Sequence, residues 1–299
     1  MVWCLGSFSY NIYSYLKEPL KKRMSTKLII NADDLGYSLH RDAAIFDLFK
    51  LGKITSASLI VNGPTVASAS ERARLVGLYL GLHLNLTEGT PLTECKGIKN
   101  KNNMLPYKME FRLLCLHMTN AFRESVDEEV VAQIEKFKEL TGYYPKHVDG
   151  HQHIHILPNM PKILAPIFSS YNIHSIRIPE EDTDDYDWLT PLEKKHYDIR
   201  YIDAVSARLE YLKYNFKMND SFIGFGLSGK NMTKKYLDQC LKNKSGIIEM
   251  ITHPGFLPSK KNNTSEYIDV FDTDVGRLQE YKCLKELNIH IPLVSWSNF

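Results

Sequence analysis

Four short stretches of this chain carry ionisable side chains that could act together. Asp33 and Asp34 follow an apolar run in IINADDLGYS, and His83 lies in LYLGLHLNL. His147, Asp149, His151, His153 and His155 alternate through HVDGHQHIH, and His253 ends the run GIIEMITH before Pro254 and Gly255. Adjacent carboxylates at the end of a buried run repel each other and lose solvation, and a cation nearby relieves both costs. Neutral imidazole is a ready ligand for divalent ions, and carboxylates orient or assist it. Four of the chain's 11 histidines fall within nine residues, a density that packing does not require. They cannot all hold one ion. Gly150 and Pro158 place the end of an extended run near residue 150, so His151 stands at its mouth. There is no HExxH helix motif and no Cys-x-x-Cys pair. The set suits metal-assisted hydrolysis of a carbonyl compound, with one carboxylate as base and one imidazole as acid. His253, fixed by the Pro-Gly turn, is the candidate acid. His153, Asn85 and Arg177 are the candidates for touching substrate.

These side chains need elements that bring them to one place. In LYLGLHLNL, Leu78, Leu80, Leu82, Leu84 and Leu86 share one face of a strand. Tyr79, Gly81, His83 and Asn85 share the other, because side chains alternate along an extended backbone. Strands are predicted over 27–32, 54–61, 78–86, 145–151, 174–178, 221–225, 247–252 and 290–295. Helices are predicted near 40–50, 65–75, 126–140, 159–171, 201–215, 232–243 and 274–287. Ser125-x-x-Glu128 reads as a capping box opening the helix that Gly142 closes, and Gly52 closes the first helix. Such alternation predicts an α/β architecture, a single distorted (β/α) barrel of TIM-like type. Its chemistry would sit at the C-terminal ends of the strands, where all four stretches fall. Residues 88–125 lack clear periodicity and read as an insertion at the rim, a place for a substrate-selecting loop. The acidic run EEDTDDYDW at 180–188 reads as a solvated loop without calcium-loop spacing.

Composition narrows the classes. The chain has 299 residues, 43% hydrophobic and 24% charged, enough for one large core. Lys and Arg number 37 against 35 for Asp and Glu, a balance that gives no reason to expect nucleic acid as a partner. No GxGxxG or GxxxxGK[ST] motif supports nucleotide binding. Residues 1–24 are aromatic-rich, but polar residues interrupt them and Lys17, Lys21, Lys22 and Arg23 come late, unlike a signal peptide. They read as a weakly ordered extension with no stable membrane span, so residues 25–299 form the catalytic domain. Five scattered cysteines fit reduced thiols and a cytoplasmic location. The sequence leaves a homodimer open.

The blocks IINADDLGYS, ITSASLIVNG, GLHLNLTEG, HVDGHQHIHILP and ITHPG, in that order, resemble those of the YdjC-like carbohydrate deacetylases. The resemblance runs from about Lys27 to near the C-terminus; Leu35 departs from a common Phe. It implies a barrel of the polysaccharide deacetylase type and one divalent metal ion, often Mg2+. Two imidazoles among the ligands would suit Zn2+ or another transition metal better. Carried over by motif, Asp34, His83 and His151 are the metal ligands and Asp33 is the general base. The implied substrate is an acetylated amino sugar or chitooligosaccharide, which loses its N-acetyl group. The alternatives are a phosphoesterase-like metal hydrolase on the same barrel and a catalytically silent sugar- or metal-binding protein. The first lacks a clear arginine cluster in the sequence.

Overall fold

The computed structural model describes residues 25–257 and 274–298. The predicted N-terminal extension over 1–24 lies outside them. Strand β1 (Lys27–Leu35) lies inside an eight-stranded sheet, third from one end. It is flanked in parallel by β2 (Ser56–Leu59) and β8 (Ile247–Thr252). Leu28, Ile29 and Ile30 are all fully buried, as expected of a parallel strand covered on both faces. From β2 the sheet continues through β3 (Leu80–Leu84), β4 (His147–Gly150), β5 (Ser175–Ile176) and β6 (Lys217–Met218). At the other end β7 (Ser221–Ile223) pairs in parallel with β8. Every pairing is parallel, and helices separate successive strands except β6 and β7, which is the predicted α/β architecture.

The two ends of the sheet belong to one short segment. Residues 217–218 bond to β5 and residues 221–223 bond to β8, so the chain changes partner at Asn219. Asn219 is fully buried and does the work of a backbone peptide there. Its carboxamide oxygen accepts from the Ile178 N–H at 2.8 Å, and its amide donates to the Ile178 carbonyl at 2.9 Å. The sheet therefore curls round with a seam at this point, the distortion of the barrel.

Several boundaries differ from the predicted ones, each for a physical reason. The strand expected at 290–295 is reduced to a clamp in which Leu28 bonds Pro292 and Val294, because proline has no N–H for a ladder. β7 stops at Ile223 because Gly224 takes φ +144°, which favours glycine. A helix, α3 (Lys108–His117), stands inside the predicted insertion. Only Phe111 and Cys115 are buried from it, while Met109, Leu113 and Leu116 face solvent, so its apolar periodicity is blurred. The next helix, α4 (Asn120–Thr141), starts earlier than predicted, with Thr119 as its cap. Ser125 lies within it and accepts instead from Gly97. The other helices are α1 (Leu39–Lys50), α2 (Val66–Val76), α5 (Met160–Ser170), α6 (Pro191–Leu212), α7 (Lys234–Leu241) and α8 (Val275–Glu286). α6 begins ten residues ahead of prediction, at a capping box made by Thr190 and Glu193. No helix among the described residues is long and apolar enough to cross a membrane.

The floor of the barrel is packed with rings. His147 is fully buried, stacked between Tyr79 at 5.6 Å and Trp296 at 5.1 Å. Burial holds its imidazole down at about 4, so it is neutral packing material. Gly81 makes room for it: a Cβ there would lie 2.0 Å from the His147 ring. Gly81→Ala is expected to cost about 1–3 kcal/mol through overpacking, read as a lowered denaturant midpoint.

Candidate metal centre

Asp33 and Asp34 would point to opposite faces of a regular strand. Here the β1–β2 register shifts between Ala32 and Leu35, and Asp34 takes φ +65°. This irregularity at the strand end turns both carboxylates into one cavity of about 530 Å³. A left-handed φ at a residue other than glycine is strained, and such strain gathers at functional sites.

Asp34 is the hub. Its Oδ1 lies 3.2 Å from His83 Nε2 and 2.9 Å from His151 Nδ1, and its Oδ2 accepts from Arg41 at 2.8 Å. Burial alone would raise this carboxyl, but the charges of His151 and Arg41 hold it well below the usual carboxylate range. The other ring nitrogen of each histidine is also held. His83 Nδ1 meets Asp149 Oδ1 at 2.6 Å, and His151 Nε2 meets Glu88 Oε2 at 2.9 Å. Burial opposes the His83 imidazolium, yet Asp149 and Asp33 push it up to about 10.

The ligating atoms of Asp34, His83 and His151 all lie within 4.8 Å of one another. Donors sharing one ion at bonds of about 2.0–2.2 Å stand roughly 3–3.5 Å apart. The separations of 2.9 and 3.2 Å fit that arrangement. So does the chemistry, since each imidazole already has a carboxylate behind it to fix its orientation. Asp33, His83 and Asp149 form a second close group. Its carboxylates are already matched by a cation of the chain, Arg177.

Asp33 sits beside this trio. Both its oxygens accept from Arg177, at 2.6 and 2.7 Å, and Asn31 adds a bond at 2.8 Å. His253 Nε2 is 3.9 Å from Asp33 Oδ2, at the end of the neighbouring strand β8. The His253 backbone is gripped by Glu280, which accepts from its N–H at 2.6 Å, and by Arg277, which donates to its carbonyl at 3.3 Å. Burial lowers the pKa of His253 despite the pull of Asp34 and Asp33.

Three expected substrate contacts separate. His153 does line the cavity, its ring edge-on to Phe225 at 4.8 Å. Arg177 does not line the cavity. It is fully buried and spends its guanidinium on Asp33, on Asp149 at 2.7 Å and on Glu249 at 2.9 Å. Asn85 also lies behind the wall. Its side chain accepts from the Thr87 and Glu88 N–H groups and donates to the Glu88 carbonyl, shaping the turn that presents Glu88. His155 Nε2 donates to the Arg177 carbonyl, 3.0 Å away, which fixes the strand end instead of contacting the cavity.

Arg41 and Glu88 complete the centre and were not singled out from sequence. Neither carries a motif of its own, although Glu88 falls in the LNLTEG block. The acidic run at 180–188 also hides a structural carboxylate. Glu181 is buried and accepts from the Gly224 and Phe225 N–H groups, at 3.2 and 2.6 Å. It is therefore not solvated, and burial raises it to about 7.

The family model described as YdjC-like protein matches residues 27–290. A Xenopus laevis protein named carbohydrate deacetylase is 32% identical over 284 residues, covering 87% of this chain and 91% of that one. A Homo sapiens protein of the same name is 31% identical, covering 88% and 85%. A solved protein of Enterococcus faecalis, provisionally described as a cellobiose-phosphate cleavage protein, aligns with a TM-score of 0.65 at 22% identity. That alignment covers 92% of this chain and 98% of the other, and bears on the fold. This chain belongs to the YdjC-like family.

Proposed function

We propose that the protein is a metal-dependent carbohydrate deacetylase, removing the N-acetyl group of an acetylated amino sugar. The observation that carries this reading is the convergence of Asp34, His83 and His151 beside Asp33, with His253 facing it. The names of the relatives support the same reaction class. Asp34 Oδ1, His83 Nε2 and His151 Nδ1 would hold the ion. When bound, a divalent ion supplies Lewis acidity to water and to the acetamide oxygen. Asp33 takes the proton from the attacking water, and Arg177 and Asn31 keep its carboxylate aimed. An amide nitrogen leaves poorly unless protonated, and His253, 3.9 Å from Asp33, passes to it the proton that Asp33 takes from water. His153 and Phe225 offer a surface for the sugar ring. A donor set with two imidazoles favours zinc, iron or manganese over magnesium.

Cys95, Cys115, Cys240 and Cys283 are free thiols, which fits a reducing compartment, so we place the protein in the cytoplasm. Asn85 and Asn219, both within glycosylation triplets, are buried and unavailable to a glycan in the folded chain.

The test of the ligand assignment is metal binding by single variants. Asp34→Ala, His83→Ala and His151→Ala are each expected to weaken binding at least tenfold, read by titration of metal-free protein. Protons on His83 and His151, both raised in pKa, must leave before the rings can coordinate. Binding should therefore tighten as pH rises and release protons. Stoichiometric binding that survives all three substitutions would place the ion elsewhere.

A further inference from the structure

One buried carboxylate stands outside the cavity and still reaches the residue that handles the proton. Glu280, in the second turn of α8, is almost fully buried, and both of its oxygens are occupied. Oε2 accepts from the His253 N–H at 2.6 Å and from the Thr252 hydroxyl at 2.8 Å. Oε1 accepts from the Gly229 N–H at 2.7 Å and lies 3.0 Å from Arg277 Nη2. A carboxylate gives up much solvation on burial, and these four groups replace it. Burial opposes its charge, but Arg277 and His253 hold it below the usual carboxylate range.

The grip on His253 has two sides. Arg277, one turn back on α8, donates to the His253 carbonyl at 3.3 Å, and its own carbonyl accepts from the Gly255 N–H at 3.1 Å. One helix therefore holds both the N–H and the carbonyl of His253. α8 is itself pinned to α1, where the Tyr281 hydroxyl donates to Asp47 at 2.5 Å. The ladder of β8 ends at Thr252, and Pro254 has no N–H to extend it. The clamp takes over where the sheet stops, and it leaves His253 Nε2 3.9 Å from Asp33. Charge adds to position. The imidazole faces Asp34 and Asp33 from β1, and Glu280 and Arg277 from α8. Burial lowers its pKa, the three carboxylates oppose that, and Arg277 adds to it. The ring is cationic only in transit, after it takes the proton from Asp33 and before the amide nitrogen receives it as the C–N bond breaks. A carboxylate fixed in advance stabilises that state without having to move.

We propose that Glu280 is a positioning residue for the proton transfer: it sets where the His253 ring stands beside Asp33 and stabilises the charge that the ring carries while the proton crosses. Glu280 does not line the cavity, so it acts through His253. The assignment rests on the deacetylase reading for the reaction that this proton serves.

The test compares Glu280→Gln with the unaltered protein in three measurements. The Hε1 resonance of His253, identified by its absence from His253→Asn, is followed by NMR against pH in metal-free protein. Removing the carboxylate charge should lower the pH at which the ring titrates by about half a unit or more. Metal binding should stay within about threefold, while acetate release loses about tenfold or more in kcat with KM nearly unchanged. Glu280→Asp keeps the charge but draws it back by one methylene, so its His253 should titrate near the original pH while kcat still falls. That variant keeps the test alive if Glu280→Gln does not fold, which circular dichroism decides. An unmoved His253 titration in Glu280→Gln overturns the proposal, as does unchanged kcat in a folded variant. Loss of metal binding alongside turnover also overturns it, because Glu280 would then be a general support of the centre. A lowered His253 titration in a protein that releases acetate from no sugar would uphold the hold of Glu280 on the ring and reject the deacetylase reading.

Discussion

Asp33→Asn is expected to retain its metal and to lose about 10²–10⁴-fold in acetate release, the usual consequence of removing a general base. The substitution leaves Asp34, His83 and His151 untouched and preserves side-chain volume. It replaces an oxygen that can take a proton with an amide that cannot. Asp33 is almost fully buried, and Arg177 and Asn31 both donate to it, so its orientation is set before substrate arrives. In the variant one amide N–H must face a donor, so some stability is lost as well. Turnover should therefore be normalised to folded, metal-loaded protein. Near-normal turnover under those conditions would move the base role to another residue.

Arg177→Leu is expected to destabilise the protein by about 3–5 kcal/mol, the cost of removing one partner from a buried ionic network. Asp33, Asp149 and Glu249 all place a carboxylate oxygen within 2.9 Å of this one guanidinium. Without it, three buried carboxyl groups would face one another, and some would have to protonate. Burial already raises Glu249 to about 7 with the arginine in place. Arg177→Lys should not rescue, because a compact ammonium cannot span the three carboxylates that the planar guanidinium reaches with separate nitrogens. Urea unfolding measures the loss. A change below about 1 kcal/mol would mean that water or a relaxed backbone satisfies these groups.

The strands were legible in the sequence wherever they are buried on both faces or alternate cleanly. β3 is the clearest: its leucines and its His83 face fall on opposite sides, and the structure puts His83 against Asp34. Asp33, Asp34, His151 and His253 stood out because each ends a strand, and strand ends gather at one rim; all four line the one cavity. What the sequence concealed was the layer behind. Arg177 and Asn85 looked able to meet substrate because polarity at a strand end does not reveal which way a side chain turns. Arg177 instead faces three acids drawn from β1, β4 and β8, a meeting across long sequence distances. Lys108 and Arg200, which line the cavity, were missed for a different reason. α3 and the start of α6 leave apolar residues exposed, Leu113, Leu116, Leu192 and Ile199 among them, so neither helix shows a sharp periodic stripe.

The most direct test of the central claim is acetate release from N-acetylated amino sugars, neutral and anionic, by metal-stripped and metal-restored protein. The account predicts stoichiometric binding of one divalent ion and acetate release only when that ion is present. Activity should be lost on chelation, regained on adding metal back, and absent from metal-loaded Asp33→Asn. Unchanged acetate release after complete removal of metal would contradict it, as would inorganic phosphate release in place of acetate.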